Sequence, residues 1–219
     1  VGSGMSVAIQ DGAGDYAATI VSGANLKIAP ASIAEEAVWA NVNVLILQNE
    51  VPEAVNIVAA REARRRGCTT VLNAAPFRDM SDELCGLIDV LVVNAVEAEM
   101  MGTGQVRDLN SAARAVQVLC SRFAGVVVTA GSAGLAACAP PGAPFQVRAT
   151  KVKVVSSHGA GDAFAAGMMY GYHEGWEVER CLELAHASAA CSLRSLATTG
   201  AIEPWQECLA LANRWGWRS

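Results

Sequence analysis

The residues best suited to chemistry lie together in Ser156-Ser157-His158-Gly159-Ala160-Gly161-Asp162. Ahead of them Val152–Val155 reads as a strand, and behind them Ala163-Phe164-Ala165-Ala166-Gly167 opens a helix. Two glycines in between make a tight turn. Such a turn leaves the amides of Ala160, Gly161 and Asp162 unpaired at a helix N-terminus, a natural anion site. A carboxylate in that position repels a phosphate unless it has another task. Asp162 suits a general base, taking the proton of an attacking hydroxyl while the amides hold a transferring phosphoryl group. The plainer alternative is an Asp that only caps its helix. It explains the carboxylate but not the flanking strand and small-residue run. The same tetrapeptide recurs at Gly12-Ala13-Gly14-Asp15, between two strand-like runs and with no helix behind it. There the glycines and Asp15 read as ordinary hairpin-turn residues.

Three further segments follow predicted strands. Asn94-Ala95-Val96-Glu97 comes after Val90–Val93 and sets an amide and a carboxylate one helical turn apart. The pair suits a phosphate and a magnesium-bound water, and equally a helix cap. Thr129-Ala130-Gly131-Ser132-Ala133-Gly134 follows Val126–Val128 and offers glycines and hydroxyls that let a nucleotide approach the backbone, as many plain turns also would. Glu50, after Val42–Leu47, is a carboxylate able to accept hydrogen bonds from a polyol, or a simple helix-start acid. Each segment is weak alone. Their common position is the argument, because ligands of open α/β sheets bind beyond the carboxyl ends of the strands. Other phosphate chemistries are excluded. The chain has no G-x-x-x-x-G-K-[ST] and only three lysines, which rules out a P-loop, and it has no G-x-G-x-x-G dinucleotide fingerprint.

The elements that must position these residues alternate. Strands are predicted at Val42–Leu47, Thr69–Asn73, Val90–Val93 and Val126–Thr129, with helices at Glu53–Arg66, Ser81–Leu87, Ala95–Met101 and Leu109–Phe123. Leu135–Cys138 and Phe145–Ala149 look like paired edge strands around Pro140-Pro141-Gly142, and helices Gly161–Glu174, Val178–Leu196 and Glu203–Arg214 complete the chain. Alternating strands and helices imply βαβ crossovers and an α/β fold: a mainly parallel, doubly wound sheet flanked by helices. Met5–Gln10 and Tyr16–Val21 instead suggest a small β-hairpin outside that sheet.

Bulk composition narrows the classes. Hydrophobic residues make up 53% of the 219, aromatics only 5%, so the core rests on Ala, Val, Leu and Ile. A net charge of −5 leaves no broad basic field for nucleic acid or an anionic membrane. The basic run Arg64-Arg65-Arg66 reads as a solvated helix end. Seven scattered cysteines without C-x-x-C spacing read as buried thiols in a reducing compartment, neither a disulfide framework nor a zinc site. No apolar run approaches the roughly 18 residues a membrane span needs. No initiator Met precedes Val1-Gly2-Ser3-Gly4, so a fragment is expected.

The segment Val155–Gly167, the Asn94-x-x-Glu97 pair and Thr129–Gly134 together resemble the ribokinase-like (PfkB) carbohydrate kinase family. Gln48-Asn49-Glu50 is similar to the family's sugar-contacting strand end, Asn73-Ala74-Ala75-Pro76 to its Asn-Pro-Ala-Pro turn, and Gly23-Ala24-Asn25 to the motif after its lid strands. The likeness runs from about Gly4 to Trp205. It implies a partial β lid at residues 1–25 and an α/β nucleotide-binding and catalytic domain at 26–219. The implied reaction is ATP-dependent phosphorylation of a small, ribose-like sugar. A nucleoside kinase, or a truncated relative that binds nucleotide without catalysis, is the alternative. By resemblance, Asp162 is the base, Gly159, Ala160 and Gly161 form the anion hole, and Asn94, Thr129, Gly131, Ser132, Gly134 and His186 bind ATP. Glu50 contacts the sugar and Glu97 helps hold magnesium through water. A monovalent cation, potassium in the family, would lie by Ser156, His158 and Ser192. Ser156, however, stands where an Asp is usual, and Ser195–Ala201 departs from the usual Arg/Lys-Gly-Ala pattern. The family's opening strand and Gly-Gly sugar-binding segment are not in this sequence. The resemblance also implies a homodimer paired through its lid, in the cytoplasm, with no nucleic acid or membrane partner.

Overall fold

The structure, a computed structural model, describes residues 1–10, 16–139, 144–196 and 203–214. The Gly12–Asp15 turn, the Pro140-Pro141-Gly142 loop and most of Ser195–Ala201 lie outside the described residues. Strands β1 (Met5–Gln10) and β2 (Tyr16–Val21) pair antiparallel, Met5 opposite Val21, as a separate two-stranded sheet. Its base sits on Gly23-Ala24-Asn25: the Ala24 amide donates to the Gly2 carbonyl at 2.9 Å, and Gly23 takes a φ of +51° against the backbone of Gly2 and Ser3.

A short helix α1 (Pro30–Ile33) precedes β3 (Val44–Gln48), and α2 (Glu53–Arg65), β4 (Thr69–Asn73), α3 (Asp82–Cys85) and β5 (Val90–Asn94) follow. Next come α4 (Ala95–Ala98), α5 (Leu109–Leu119), β6 (Gly125–Thr129), β7 (Gly134–Cys138) and β8 (Phe145–Arg148). Helices α6 (Ala160–His173), α7 (Val178–Ser192) and α8 (Trp205–Arg214) close the chain. The six strands lie in the order β3-β4-β5-β6-β7-β8. The first four are parallel, and β7 and β8 each run antiparallel to their predecessor. This is the α/β sheet that the alternation predicts. At one side β3 is the edge, with Ile46 half exposed.

Side chains alternate between faces with the two-residue period of a strand. Leu72, Leu91, Val93, Val126 and Val128 pack with α2 and α5 residues such as Ala59, Ala112 and Val116. Val71, Val90, Val92 and Val127 pack on the opposite face with Phe164, Met168, Cys181 and Leu182 of α6 and α7. The glycines of α6 have a packing reason. A Cβ on Gly167 would lie 2.9 Å from Cα of Ala185, and one on Gly171 would lie 2.7 Å from Sγ of Cys181. Small residues therefore let α6 and α7 approach backbone to backbone.

Some expectations are corrected. Val152–Val155 is not a strand. Its amides have no sheet neighbour; the Val155 and Ser156 N–H groups donate to the Leu193 carbonyl at the end of α7 (2.7 and 3.3 Å), and Val154 and Val155 are exposed. Arg66 is not a solvated helix-end charge. It makes two 2.6 Å hydrogen bonds to Glu36 and lies 5.5 Å from the Trp39 ring centre. The helix predicted over Ala95–Met101 stops at Ala98 and loosens into a wide turn over Glu99–Thr103, where Gly102 has a φ of +86°. All seven cysteines are free and five are buried. Among the described residues no helix is long and apolar enough to cross a membrane.

Candidate active site

The candidate residues lie at the carboxyl ends of β3, β5 and β6 and at the start of α6, and α6 meets the end of β3 through Asp162 and Gln48. Gly159 is the residue before α6 and adopts the left-handed conformation (φ +78°), with no side chain to cap the helix. Among the described residues the amides of Gly161 and Asp162 meet no acceptor. The Ala160 amide, expected to be free, donates to the Ser157 carbonyl at 3.3 Å, a long bond made as the chain tightens into the helix. Nothing crowds Gly161, where an added Cβ would meet open space. Asp162 is exposed, and its Oδ1 accepts from Nε2 of Gln48 at 3.4 Å. The carboxylate thus faces the end of β3 across the cleft, away from the packed interior.

Gln48 is held in turn. Its carbonyl accepts from Nδ2 of the buried Asn56 at 3.0 Å. The neighbouring Asn49, also buried, ties the end of β3 to the β4 turn through the Ala74 and Ala75 carbonyls. Beside Gln48 opens a groove of about 430 Å³, whose polar residues include Asn25, Gln48 and Glu50 and whose apolar wall includes Ile33, Trp39 and Leu45. Glu50 and the Asn25 of Gly23-Ala24-Asn25 are therefore brought together. Gln48 joins that groove to Asp162. As a direct partner of Asp162, Gln48 was missed in the sequence, although its place at a strand's carboxyl end was the available signal.

The second cluster lies at β5 and β6. Asn94 Oδ1 accepts from the Glu97 amide at 2.9 Å, and Glu97 Oε2 accepts from the Asn94 amide at 2.8 Å, a reciprocal cap on α4. Glu97 is buried, and that burial raises its pKa above the usual carboxylate value. Thr129 pairs with Asn94 in the sheet register. Gly131 and Ser132 are exposed just beyond β6, with Gly131 at a φ of +53°. Gly134 is buried, and a Cβ there would collide with the Val147 carbonyl, so the crossing of β7 and β8 demands a glycine. Among the described residues no hydrogen bond links Asp162 to Asn94 or Glu97.

His186, on α7, accepts the Thr150 amide through Nε2 at 3.1 Å and meets Thr150 Oγ1 at 2.8 Å. Burial pushes its pKa down to about 4, so the ring is neutral near pH 7. Thr150 lies 36 residues from it in sequence, and only the fold brings the two together. At the expected cation position, Ser156 Oγ accepts from the His158 amide at 3.2 Å and the Leu193 carbonyl is taken by Val155 and Ser156. Among the described residues the buried Ser192 Oγ meets no hydrogen-bond partner. Among the described residues no group of three or more His, Cys, Asp and Glu gathers to hold a metal.

Comparison with known proteins gives the family of the chain. Residues 3–206 match the family described as pfkB family carbohydrate kinase. Ribokinase of Haemophilus influenzae is 30% identical over 192 residues, covering 87% of this chain and 62% of the relative; that of Mus musculus is 30% identical, covering 96% and 67%. The chain thus spans about two thirds of the length of these relatives. Arabidopsis thaliana ribokinase, solved with ribose and ATP, superposes with a TM-score of 0.82 at 26% identity, covering 95% of this chain and 69% of that one. A Burkholderia thailandensis nucleoside kinase in complex with inosine shares the fold (TM-score 0.74, 17% identity, 96% and 68% coverage). With nearly its whole length matched, the chain belongs to the pfkB family of carbohydrate kinases.

Proposed function

We propose that this chain carries the catalytic part of an ATP-dependent kinase for a small, ribose-like sugar. One observation carries the reading: an exposed carboxylate, Asp162, sits beside free helix-terminal amides and is oriented by Gln48 toward a groove holding Glu50 and Asn25. The sugar hydroxyl attacks the γ-phosphorus as its proton passes to Asp162, the bond to the β-phosphate oxygen breaks, and the Gly161 and Asp162 amides stabilise the transferring group. Glu50 and Asn25 hold the sugar; Asn94, Thr129, Gly131 and Ser132 line the nucleotide, with neutral His186 near the base. Gly134 serves that cleft by shaping the turn.

Magnesium is usually carried by phosphate oxygens and water with only one or two carboxylates. The sparse acidic set here, Glu97 with Asn94 beside it, fits such a role through water. When bound, the ion would neutralise phosphate charge. For potassium the described residues offer Ser156 Oγ, which takes the His158 amide, in place of the carboxylate usual there. The proposed reaction does not require potassium.

The test is ATP turnover by the full-length protein on a panel of pentoses and hexoses, with Asp162→Ala beside the wild type. Loss of the base should cost about 10²- to 10⁴-fold in rate; unchanged turnover would remove Asp162 from the mechanism. The apolar wall with Trp39 favours a second acceptor, a nucleoside, and calorimetry with ribose and adenosine separates the two. Heat from adenosine alone would select the nucleoside.

We also propose a homodimer, with residues 1–25 acting as a lid on the body formed by 26–219. Met5, Val7 and Val21 expose apolar surface on the hairpin. Light scattering that showed a monomer at micromolar concentration would count against this. Free thiols throughout fit a cytoplasmic setting.

A further inference from the structure

A second cleft, of about 400 Å³, opens between the segment after β8 and the ends of α7 and α8. Among the described residues its lining is Lys151, Val152, Lys153, Arg194, Leu211 and Arg214: four cations, two apolar residues and no carboxylate. The convergence runs against the balance of the chain, whose net charge is −5 and which has only three lysines, two of them here. Several cations elsewhere are paired, as Arg61 is with Glu83, Arg65 and Arg66 with Glu36 and Glu62, and Arg122 with Asp82, but those others are not gathered around one concave space. Lys151, Lys153 and Arg214, by contrast, make no hydrogen bond or ion pair with any described residue. Like charges gathered around one concave space repel each other, and a multiply charged anion relieves that repulsion.

We propose that this cleft binds the phosphate group of a small molecule, at a site separate from the one described above. Lysine ammonium groups and a guanidinium suit phosphate oxygens as point charges and as a planar fork. The volume falls within the roughly 300–1,000 Å³ of small-ligand pockets, and Leu211 with Val152 gives an organic portion an apolar floor. The position bears on catalysis. Lys151 follows Thr150, which is tied to His186, and the segment continues through Val155 and Ser156, tied to Leu193, into the turn before Asp162. A phosphate held here stiffens that segment at its midpoint.

The experiment is calorimetric titration of the full-length protein saturated with a non-hydrolysable ATP analogue and magnesium, so that the nucleotide site is filled. Inorganic phosphate and ribose 5-phosphate are titrated in separate arms. Binding in either arm is expected. Because ribose 5-phosphate is also a product of the proposed reaction, only the affinity removed by charge reversal at Lys151 and Lys153 counts for this cleft: a larger loss for ribose 5-phosphate identifies an organic ligand, and equal losses identify the phosphate group alone. The variant Lys151→Glu with Lys153→Glu should weaken binding at least about tenfold, whereas Lys151→Arg with Lys153→Arg should keep it. Melting temperatures of both variants check folding. The proposal falls if neither anion binds the nucleotide-loaded protein, if the charge-reversed variant binds like the wild type, or if the arginine variant loses as much as the glutamate one. Should the ATP analogue itself fail to bind, the kinase reading fails. The wild-type and charge-reversed proteins compared without nucleotide then still decide the fate of the cleft.

Discussion

Two helix starts at the same end of the sheet carry an acid at the same place, the third helical residue, and treat it in opposite ways. At α4 the preceding residue is Asn94, and its side chain and that of Glu97 each accept the other's amide; the acid is buried and its burial raises its pKa. At α6 the preceding residue is Gly159, left-handed and without a side chain; no cap forms, and Asp162 stays exposed with Gln48 as its partner. One atom group, the side chain before the helix, decides whether the acid closes the helix or remains open to a substrate. A capping box satisfies orphan amides. A glycine leaves them for a ligand.

The comparison predicts a split between activity and stability. Asp162→Ala should lose turnover by about 10²- to 10⁴-fold with little change in melting temperature. Glu97→Ala should show a clear melting shift, because it empties a buried position and frees the Asn94 amide. Equal melting losses in the two variants would erase the distinction. The segment feeding the open junction is anchored by His186, whose lowered pKa gives a signed pH dependence. The unfolded chain takes up a proton near pH 6.5 and the folded one only near 4, so stability falls as pH drops through that window. The loss reaches at most about 3 kcal/mol, and denaturant titration of wild type and His186→Gln from pH 7 to 4 should show it only in the wild type.

Within α6 the contrast continues along one helix. Gly167→Val should destabilise by about 1–3 kcal/mol by overpacking against α7, while Gly161→Ala, facing open space, should leave stability unchanged or slightly raised. Urea melts of the two variants check this. A single capping acceptor can be removed at the closed junction. Asn94→Ala removes the capping acceptor and should cost about 1 kcal/mol, measured the same way.

Much of this was legible in the sequence because the signals were local. Val90–Val93 and Thr69–Asn73 announce themselves as buried strands by continuous apolar, β-branched runs, and Thr69–Asn73 is a strand over those same residues. Val152–Val155, three valines around Lys153, carries a similar β-branched signal and is not a strand, because side-chain type says nothing about whether a neighbour is present to pair with it. The ambiguity at Asn94 and Glu97, cap or ligand, was inherent in their spacing; the fold builds the cap, and the ligand role is a proposal beside it. The small residues after Asp162 looked like the opening of a phosphate-binding helix. Gly161, just before Asp162, meets open space, whereas Gly167 and Gly171 answer to a helix that arrives later in the chain. Gln48 with Asp162, and Thr150 with His186, are separated by 114 and 36 residues, distances over which periodicity carries no information.

The outer side of β3 has a practical consequence. Its backbone has a hydrogen-bonded strand on one side only, β4, and Ile46 stands half exposed on it. A row of unsatisfied main-chain donors and acceptors beside apolar side chains is a template for another strand. The 219-residue polypeptide handled alone should therefore be prone to adhere to its own kind as concentration rises. A charge introduced at Ile46 should reduce that adhesion, read by light scattering of the two polypeptides at matched concentration.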